Sequence, residues 1–255
     1  MIIDGQIAIV TGAGSGLGEA AARRLAAKGA RVAVLDRCLD AAQAVADGIG
    51  GLALGADVTD QAAVEAAFAK VQAEWGAAPR IALNCAGVGT AGRILPRDGD
   101  LNIAGFERII RINLIGTYIV MALAARGMAA QDPLDGDGAR GVIINTASIA
   151  YQDGQIGQAA YAASKGGVAA MTLPAARELA RAGIRVMTIA PGLFETAMAA
   201  GLTPDFRVAL EASLPFPSRM GHPDEFAMLV QQIVENPILN GEVIRIDSAV
   251  RMAPK

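Results

Sequence analysis

The sequence predicts an α/β protein, a doubly wound parallel sheet flanked by helices and formed as a single domain over residues 1–255. Three observations carry that expectation. Short Val/Ile/Leu runs alternate with longer Ala-rich runs of helical period through the first 87 residues, a pattern that gives a parallel sheet with helices on both faces. The chain is 53% hydrophobic but only 4% aromatic, so aliphatic strands buried on both faces and Ala-faced helices carry the apolar total. At 255 residues with no evident linker, the chain suits one large domain that buries roughly 70 to 75% of its unfolded surface.

The elements follow in order. Gln6 to Val10 is a short apolar strand running into Thr11-Gly12-Ala13-Gly14-Ser15-Gly16-Leu17-Gly18, with helix from Glu19 to Lys28 and Gly29 as its stop. Glycines allow a tight turn and close backbone approach, and the helix N-terminus offers N–H groups to a pyrophosphate. The spacing is Gly-x-x-x-Gly-x-Gly; strand before and helix after argue for an anion cradle over a plain turn. The strand Arg31 to Leu35 ends in Asp36, placed to accept hydrogen bonds from an adenosine ribose and to repel a 2′-phosphate, which favours NAD. Arg37 is a contrary signal, and a helix N-cap is the other reading of Asp36.

Leu39 to Asp47 reads as helix, Gly51 to Leu54 as strand, and Asp57-Val58-Thr59 as its exit, with Thr59 capping a helix from Asp60 to Trp75. Ile81 to Leu83 is a fourth strand, followed by Asn84-Cys85-Ala86-Gly87. Val88 to Asn102 has no period and is a loop near a pocket mouth. Phe106 to Met128 reads as one long helix with Asn113 in its body; such an Asn is neutral or bends the helix locally, unless its amide points at water or backbone in a site. Asp132 to Gly138 is an acidic surface turn, and Gly141 to Thr146 is a buried strand.

The chemistry is expected between Ser148 and Lys165. Tyr161 and Lys165 are four apart in an Ala-rich helical run and share one face. A phenol has a reference pKa of about 10, and burial raises it. A cation about 4 Å away, at an effective dielectric near 20, is worth about 4 kcal/mol, or roughly three pKa units. The expectation is that Lys165 outweighs burial and brings the phenol near neutral pH, where it exchanges a proton with an alcohol or carbonyl.

A net charge of −3 and a pI of 5.3 argue against nucleic-acid binding by a basic surface. No run reaches the roughly 18 uninterrupted apolar residues of a membrane span. The N-terminus lacks a basic region and enters a strand at once, so a cytoplasmic protein is expected. Cys38 and Cys85 show neither metal spacing nor a disulfide framework and read as small buried hydrophobes. His222, the one histidine, forms no recognisable catalytic spacing with either, so no metal site is expected.

Together these pieces resemble the short-chain dehydrogenase/reductase family: Thr-Gly-x-x-x-Gly-x-Gly at Thr11 to Gly18, then Asp57, Asn84-Cys85-Ala86-Gly87, Asn113, Ser148, Tyr161-x-x-x-Lys165 and Pro191-Gly192. The resemblance implies a Rossmann-type fold and a homotetramer. It implies that Tyr161 is the acid/base, that Lys165 lowers its pKa and holds the nicotinamide ribose, that Ser148 orients the substrate oxygen, and that Asn113 supports a proton relay through water. Gly12, Ser15, Gly16, Leu17 and Gly18 would hold the dinucleotide, Asp57 and Val58 border its adenine, and Cys85, Phe194 and Thr196 line it, Cys85 through its backbone.

After the strand Arg185 to Ala190 and Pro191-Gly192, residues 193–218 read as a substrate lid, offering Leu193, Phe194, Met198, Leu202, Phe206, Leu210 and Leu214 to an apolar group; ordinary core or a subunit contact is the other reading of these residues. The segments Ile189 to Phe194, Leu214 to Gly221 and Glu235 to Arg245 are similar to a subgroup that acts on 3-hydroxyacyl-CoA thioesters, with the departure at Glu195 to Thr203. The expected activity is hydride transfer between NAD and a secondary alcohol or ketone, with a 3-hydroxyacyl-CoA as substrate. The rival is a steroid or other hydrophobic alcohol. A non-catalytic cofactor sensor or scaffold is the alternative of another class, opposed by the Ser148, Tyr161 and Lys165 set.

Overall fold

A computed structural model describes residues 1–96, 99–196, 208 and 210–254. Seven strands form one parallel sheet: β1 (Ile7–Thr11), β2 (Arg31–Asp36), β3 (Leu52–Gly55), β4 (Ile81–Asn84), β5 (Gly141–Thr146), β6 (Ile184–Pro191) and β7 (Val243–Ile246), in the order β3-β2-β1-β4-β5-β6-β7. Helices α1 (Gly16–Ala27), α2 (Leu39–Asp47), α3 (Gln61–Trp75), α4 (Ile103–Ile110), α5 (Thr117–Ala129), α6 (Ala150–Asp153), α7 (Ala159–Leu179) and α8 (Pro223–Glu235) connect them.

The strands are apolar without alternation because both faces are covered. Ala8 and Val10 of β1 enter one core with Val32, Val34, Val142 and Ile144, while Ile7 and Ile9 enter the opposite core with Ala33, Leu35 and Ile143. The order reverses between β1 and β4, so the crevice beyond their carboxyl ends is where such a sheet takes a ligand.

The elements expected up to residue 146 are present, with small shifts at their ends. Two expectations need correction. The cap of α3 is Asp60, whose side chain accepts from Ala63 N at 3.1 Å; Thr59 instead donates its N–H and hydroxyl to Asp57 Oδ1 at 2.9 and 2.8 Å. The single helix expected around Asn113 is α4 and α5 joined by a π-helical turn, Arg111–Gly116. Its extra residue per turn is the kind of irregularity that gathers at functional sites. Elements α8 and β7 were not anticipated. Helix α8 had a legible start, Pro223 at its first turn with Asp224 and Glu225 behind it, whereas β7 is four half-buried residues interrupted by Arg245, too short to show a period.

Among the described residues, the run Ile103–Ala129 is long and apolar enough to cross a membrane, with a window hydropathy of 1.5. Half of that window is buried inside the protein, as in a core helix.

Candidate active site

The carboxyl ends of β1 and β4 are tied together by Thr11, whose Oγ1 accepts from Cys85 N and Ala86 N, both at 3.2 Å. That closeness demands glycine next in the chain: Gly12 has φ +61°, and a Cβ there would stand 2.7 Å from Ala86 Cα. Gly18 is equally constrained, since its Cβ would run into the Gly12 carbonyl. Ser15 sits at the N-cap of α1 without a capping bond from its side chain, which leaves the first-turn N–H groups facing the crevice. The set fits a pyrophosphate, because close backbone approach and a helix N-terminus are what such a group requires.

A cleft of about 830 Å³ opens over this cradle, lined by Gly12, Ser15, Gly16, Leu17 and Gly18. One end is bounded by Asp36, Arg37, Asp57 and Val58, the other by Ser148, Tyr161 and Lys165. Asp36 is held by its surroundings: Oδ2 accepts from Gly14 N at 3.0 Å and Oδ1 from Cys38 N at 2.9 Å. It is not a helix cap, since Cys38 occupies the N-cap of α2. The same bond turns the chain outward, so Cys38 is exposed rather than buried as expected. The backbone N–H of Thr59, joined by its hydroxyl, holds Asp57 below the usual carboxylate range against the effect of burial.

Cys85 lines the cleft with its Sγ 3.4 Å from Thr146 Oγ1. Burial pushes its thiol up to about 11, so it stays protonated and inert. Phe194 lines the cleft while packing edge-on against Phe226 at 6.4 Å, and its backbone bridges to Gly221. Thr196 approaches Gly16, whose added Cβ would stand 3.5 Å from its Cγ2. Leu193 lines the cleft, as expected of a lid residue, while it packs against Ile149 and Val250, and Leu210 lines the cleft as well; Leu214 is buried in that cluster and is core. Met198, Leu202 and Phe206 lie outside the described residues.

Asn113 does not line the cleft. It is fully buried behind the loop that follows β4. Its Oδ1 accepts from Val88 N at 2.8 Å, and its Nδ2 donates to Val88 O at 2.9 Å and Ser164 Oγ at 3.1 Å. The amide therefore points at backbone, the exception that makes an Asn in a helix useful. Gly87 leaves the space between it and Lys165: a Cβ there would lie 3.2 Å from Asn113 Oδ1 and 3.5 Å from Lys165 Nζ.

Tyr161 and Lys165 stand on the first turns of α7, and Ser148 follows β5. Lys165 is buried, donates to Thr146 O at 2.7 Å, and lies 5.9 Å from the centroid of the Tyr161 ring. Burial pushes its ammonium down to about 8. Burial also raises the Tyr161 phenol, and the hydrogen bond with the Ser148 hydroxyl only partly offsets this. The expectation that the cation brings the phenol to neutral pH is therefore not met in the free protein. The ammonium is aimed at a carbonyl, and desolvation disfavours both charged forms. At neutral pH the phenol keeps its proton and is a donor.

Residues at the far end of the cleft were not anticipated: Gln155, Met220 and the C-terminal stretch Val250 to Ala253. The tail has no hydrophobic period, so nothing in its sequence marked it. Among the described residues no group of three or more His, Cys, Asp or Glu is placed to hold a metal ion.

A parallel sheet with a dinucleotide cradle at its switch point, and a serine, tyrosine and lysine meeting in the same cleft, defines a class of protein: oxidoreductases that work with a nicotinamide cofactor. The short chain dehydrogenase family matches residues 6–206, and the chain belongs to it. It is 47% identical over 256 residues to human 3-hydroxyacyl-CoA dehydrogenase type-2, covering 99% of this chain and 97% of that protein. The Drosophila melanogaster protein of the same name is 48% identical over 257 residues, covering 99% and 100%. The crystal structure of 3-hydroxyacyl-CoA dehydrogenase type-2 from Mycobacterium avium superposes with a TM-score of 0.91 at 42% identity, covering 97% of this chain and 96% of that one.

Proposed function

We propose that the chain interconverts 3-hydroxyacyl-CoA and 3-ketoacyl-CoA thioesters with NAD. The observation that carries this reading is identity near one half, sustained over 99% of the chain, to proteins that bear that activity in their names. A lesser likeness would support the family and no particular substrate. Asp36 supports NAD over NADP, because a carboxylate fixed by two backbone N–H groups at the cleft wall accepts from ribose hydroxyls and repels a phosphate.

When bound, the cofactor supplies a hydride acceptor or donor for the carbon bearing the substrate oxygen. The chain's own residues handle the proton and the orientation. Ser148, beside the phenol, holds the substrate oxygen, and Tyr161 gives that oxygen a proton in reduction or takes it in oxidation. Lys165, buried a short way from the ring, stabilises the phenolate whenever it forms, since a charge in a dry site acts strongly. Asn113 keeps the loop after β4 in place through Val88. A homotetramer belongs to the same proposal, supported by exposed apolar side chains such as Phe106, Ile115 and Tyr118 on α4, α5 and the turn between them.

The test is a screen of 3-ketoacyl-CoAs, steroid ketones and simple ketones followed by NADH oxidation. The expected outcome is highest kcat/KM on a 3-ketoacyl-CoA, and lower kcat/KM for the same ketoacyl group on a truncated thiol. A steroid ketone better by tenfold, or no effect of truncation, replaces the acyl-CoA reading with a hydrophobic-alcohol dehydrogenase.

A further inference from the structure

Beyond β7 the chain turns back toward the cleft through Ser248 and Ala249, non-glycine residues at φ 54° and 60°. Such backbone persists only where the surroundings hold it. Here they do. Arg245 donates to Asp247 Oδ2 at 2.7 Å, to Asp153 Oδ2 at 2.8 Å and to the Val250 carbonyl at 3.0 Å. Arg251 adds two contacts of 3.2 Å to the same Asp153 carboxylate. The end of the tail is sewn to the segment before α7, with Gln155 Nε2 donating to Ala253 O at 3.0 Å and Ile156 N to Pro254 O at 2.9 Å.

The side chains of Arg245, Asp153 and Asp247 are 17, 15 and 10% exposed, so this is a mostly dry ion cluster, and removing one member strands the others. It holds the tail in one place. Val250 is buried against Ile149 and Leu214, with Met252 packed on the same cluster. Ile149 follows Ser148 directly, so Met252, which lines the cleft, stands at the substrate end and away from the dinucleotide cradle.

We infer that the C-terminal stretch Val250–Ala253 is the end wall of the substrate pocket, that Met252 sets the size of the group it admits, and that Asp153 is the positioning residue that fastens the wall. The inference rests on the acyl-CoA reading only for the identity of that group. A flexible thioether closing a pocket tolerates a range of sizes and imposes a soft upper limit.

The experiment compares the full-length wild type with Met252→Ala, Asp153→Asn and Gln155→Ala on 3-ketoacyl-CoAs of increasing chain length, with simple ketones of increasing bulk alongside. NADH affinity is read by fluorescence, and amide exchange is followed at Ile156. Met252→Ala is expected to raise the ratio of kcat/KM for the longest over the shortest substrate by about tenfold or more, the scale of a few methylenes in an apolar pocket, with NADH affinity unchanged. Asp153→Asn is expected to expose the Ile156 amide to exchange and to raise KM well beyond any change in kcat. Gln155→Ala, the milder lesion, shifts both in the same direction.

A length ratio within twofold of wild type in Met252→Ala overturns the inference, as does an Ile156 amide still protected in both strap variants. If wild type turns over none of the thioesters, the acyl-CoA reading fails by itself. The size ratio is then read on the ketones, where the same two outcomes decide the role of the tail.

Discussion

Lys165 donates its ammonium proton to the carbonyl of Thr146 at 2.7 Å, at the last residue of β5. This bond fastens the first turns of α7 to the end of the strand and brings the Tyr161 phenol and the Ser148 hydroxyl to one point of the cleft. It also aims the cation at a carbonyl rather than at the phenol, so the free protein holds its proton on Tyr161.

Replacing Tyr161 with Phe keeps the ring and removes the proton carrier. Turnover is expected to fall by about 10² or more, the usual worth of acid/base catalysis, while NADH still binds. Because burial raises the phenol, the oxidation rate of wild type rises with pH into the alkaline range and the reduction rate falls there. Steady-state rates in both directions between pH 6 and pH 10 check this; a residual kcat above about a tenth in the Phe variant assigns the proton to another group.

Lys165 has a folded-state value of about 8 against an ordinary unfolded value of about 10.4. Between these values the unfolded chain binds more protons than the folded one, so stability rises with pH across that window. The cost of burying the ammonium is fully present below pH 8 and is relieved above about 10.4. The stability of wild type relative to Lys165→Met is expected to increase by about 3 kcal/mol from pH 7 to pH 10.5. Denaturant melts of both proteins at the two pH values give the difference, and a flat comparison contradicts the burial of a charged amine.

Asp36 is expected to favour NAD over NADP by at least about tenfold in kcat/KM, since a like charge beside a phosphate is disfavoured. Asp36→Ala narrows the preference, and it also loosens the turn by releasing Gly14 N and Cys38 N. Equal values for the two cofactors in wild type would mean that Arg37, on the same cleft wall, dominates.

Asn113→Ala leaves the N–H and carbonyl of Val88 and the hydroxyl of Ser164 without their amide partner. The expected loss is about 1–3 kcal/mol, as for buried groups left unsatisfied, seen as a drop in Tm of several degrees at this chain length. A variant with unchanged Tm and lost activity would move Asn113 from support of the loop into the chemistry.

A thiol reagent is expected to modify Cys38 in the native protein and to spare Cys85 until the chain unfolds. Cys38 is exposed, whereas burial holds the Cys85 thiol near 11, and the thiolate is the nucleophile. Mass spectrometry of native and denatured samples separates the two sites.

Local patterns carried much of this molecule. The Gly-rich turn between β1 and α1, the acid at the end of β2, and the Tyr161 and Lys165 spacing are each set by neighbours in the chain, through backbone sterics or the helical repeat. They were therefore legible without coordinates, as was the continuous apolarity of strands covered on both faces. Thr59 and Asp60 both suit the cap of α3, and only the competing bonds from Thr59 to Asp57 give the role to Asp60.

What the sequence alone determined was the alternation of strands and helices up to β5, the parallel sheet, and the Gly-rich turn, Asp36, Ser148, Tyr161 and Lys165 that meet in its cleft. The tertiary structure decided the rest, because it depends on partners distant in the chain. Whether Lys165 lowers the phenol depends on where its ammonium points and how dry the pocket is. Whether Asn113 bends a helix or splints a loop depends on Val88 and Ser164. That residues 250–253 wall the cleft depends on Arg245 and Asp153 meeting 92 positions apart, a match of charges with no period or spacing to announce it.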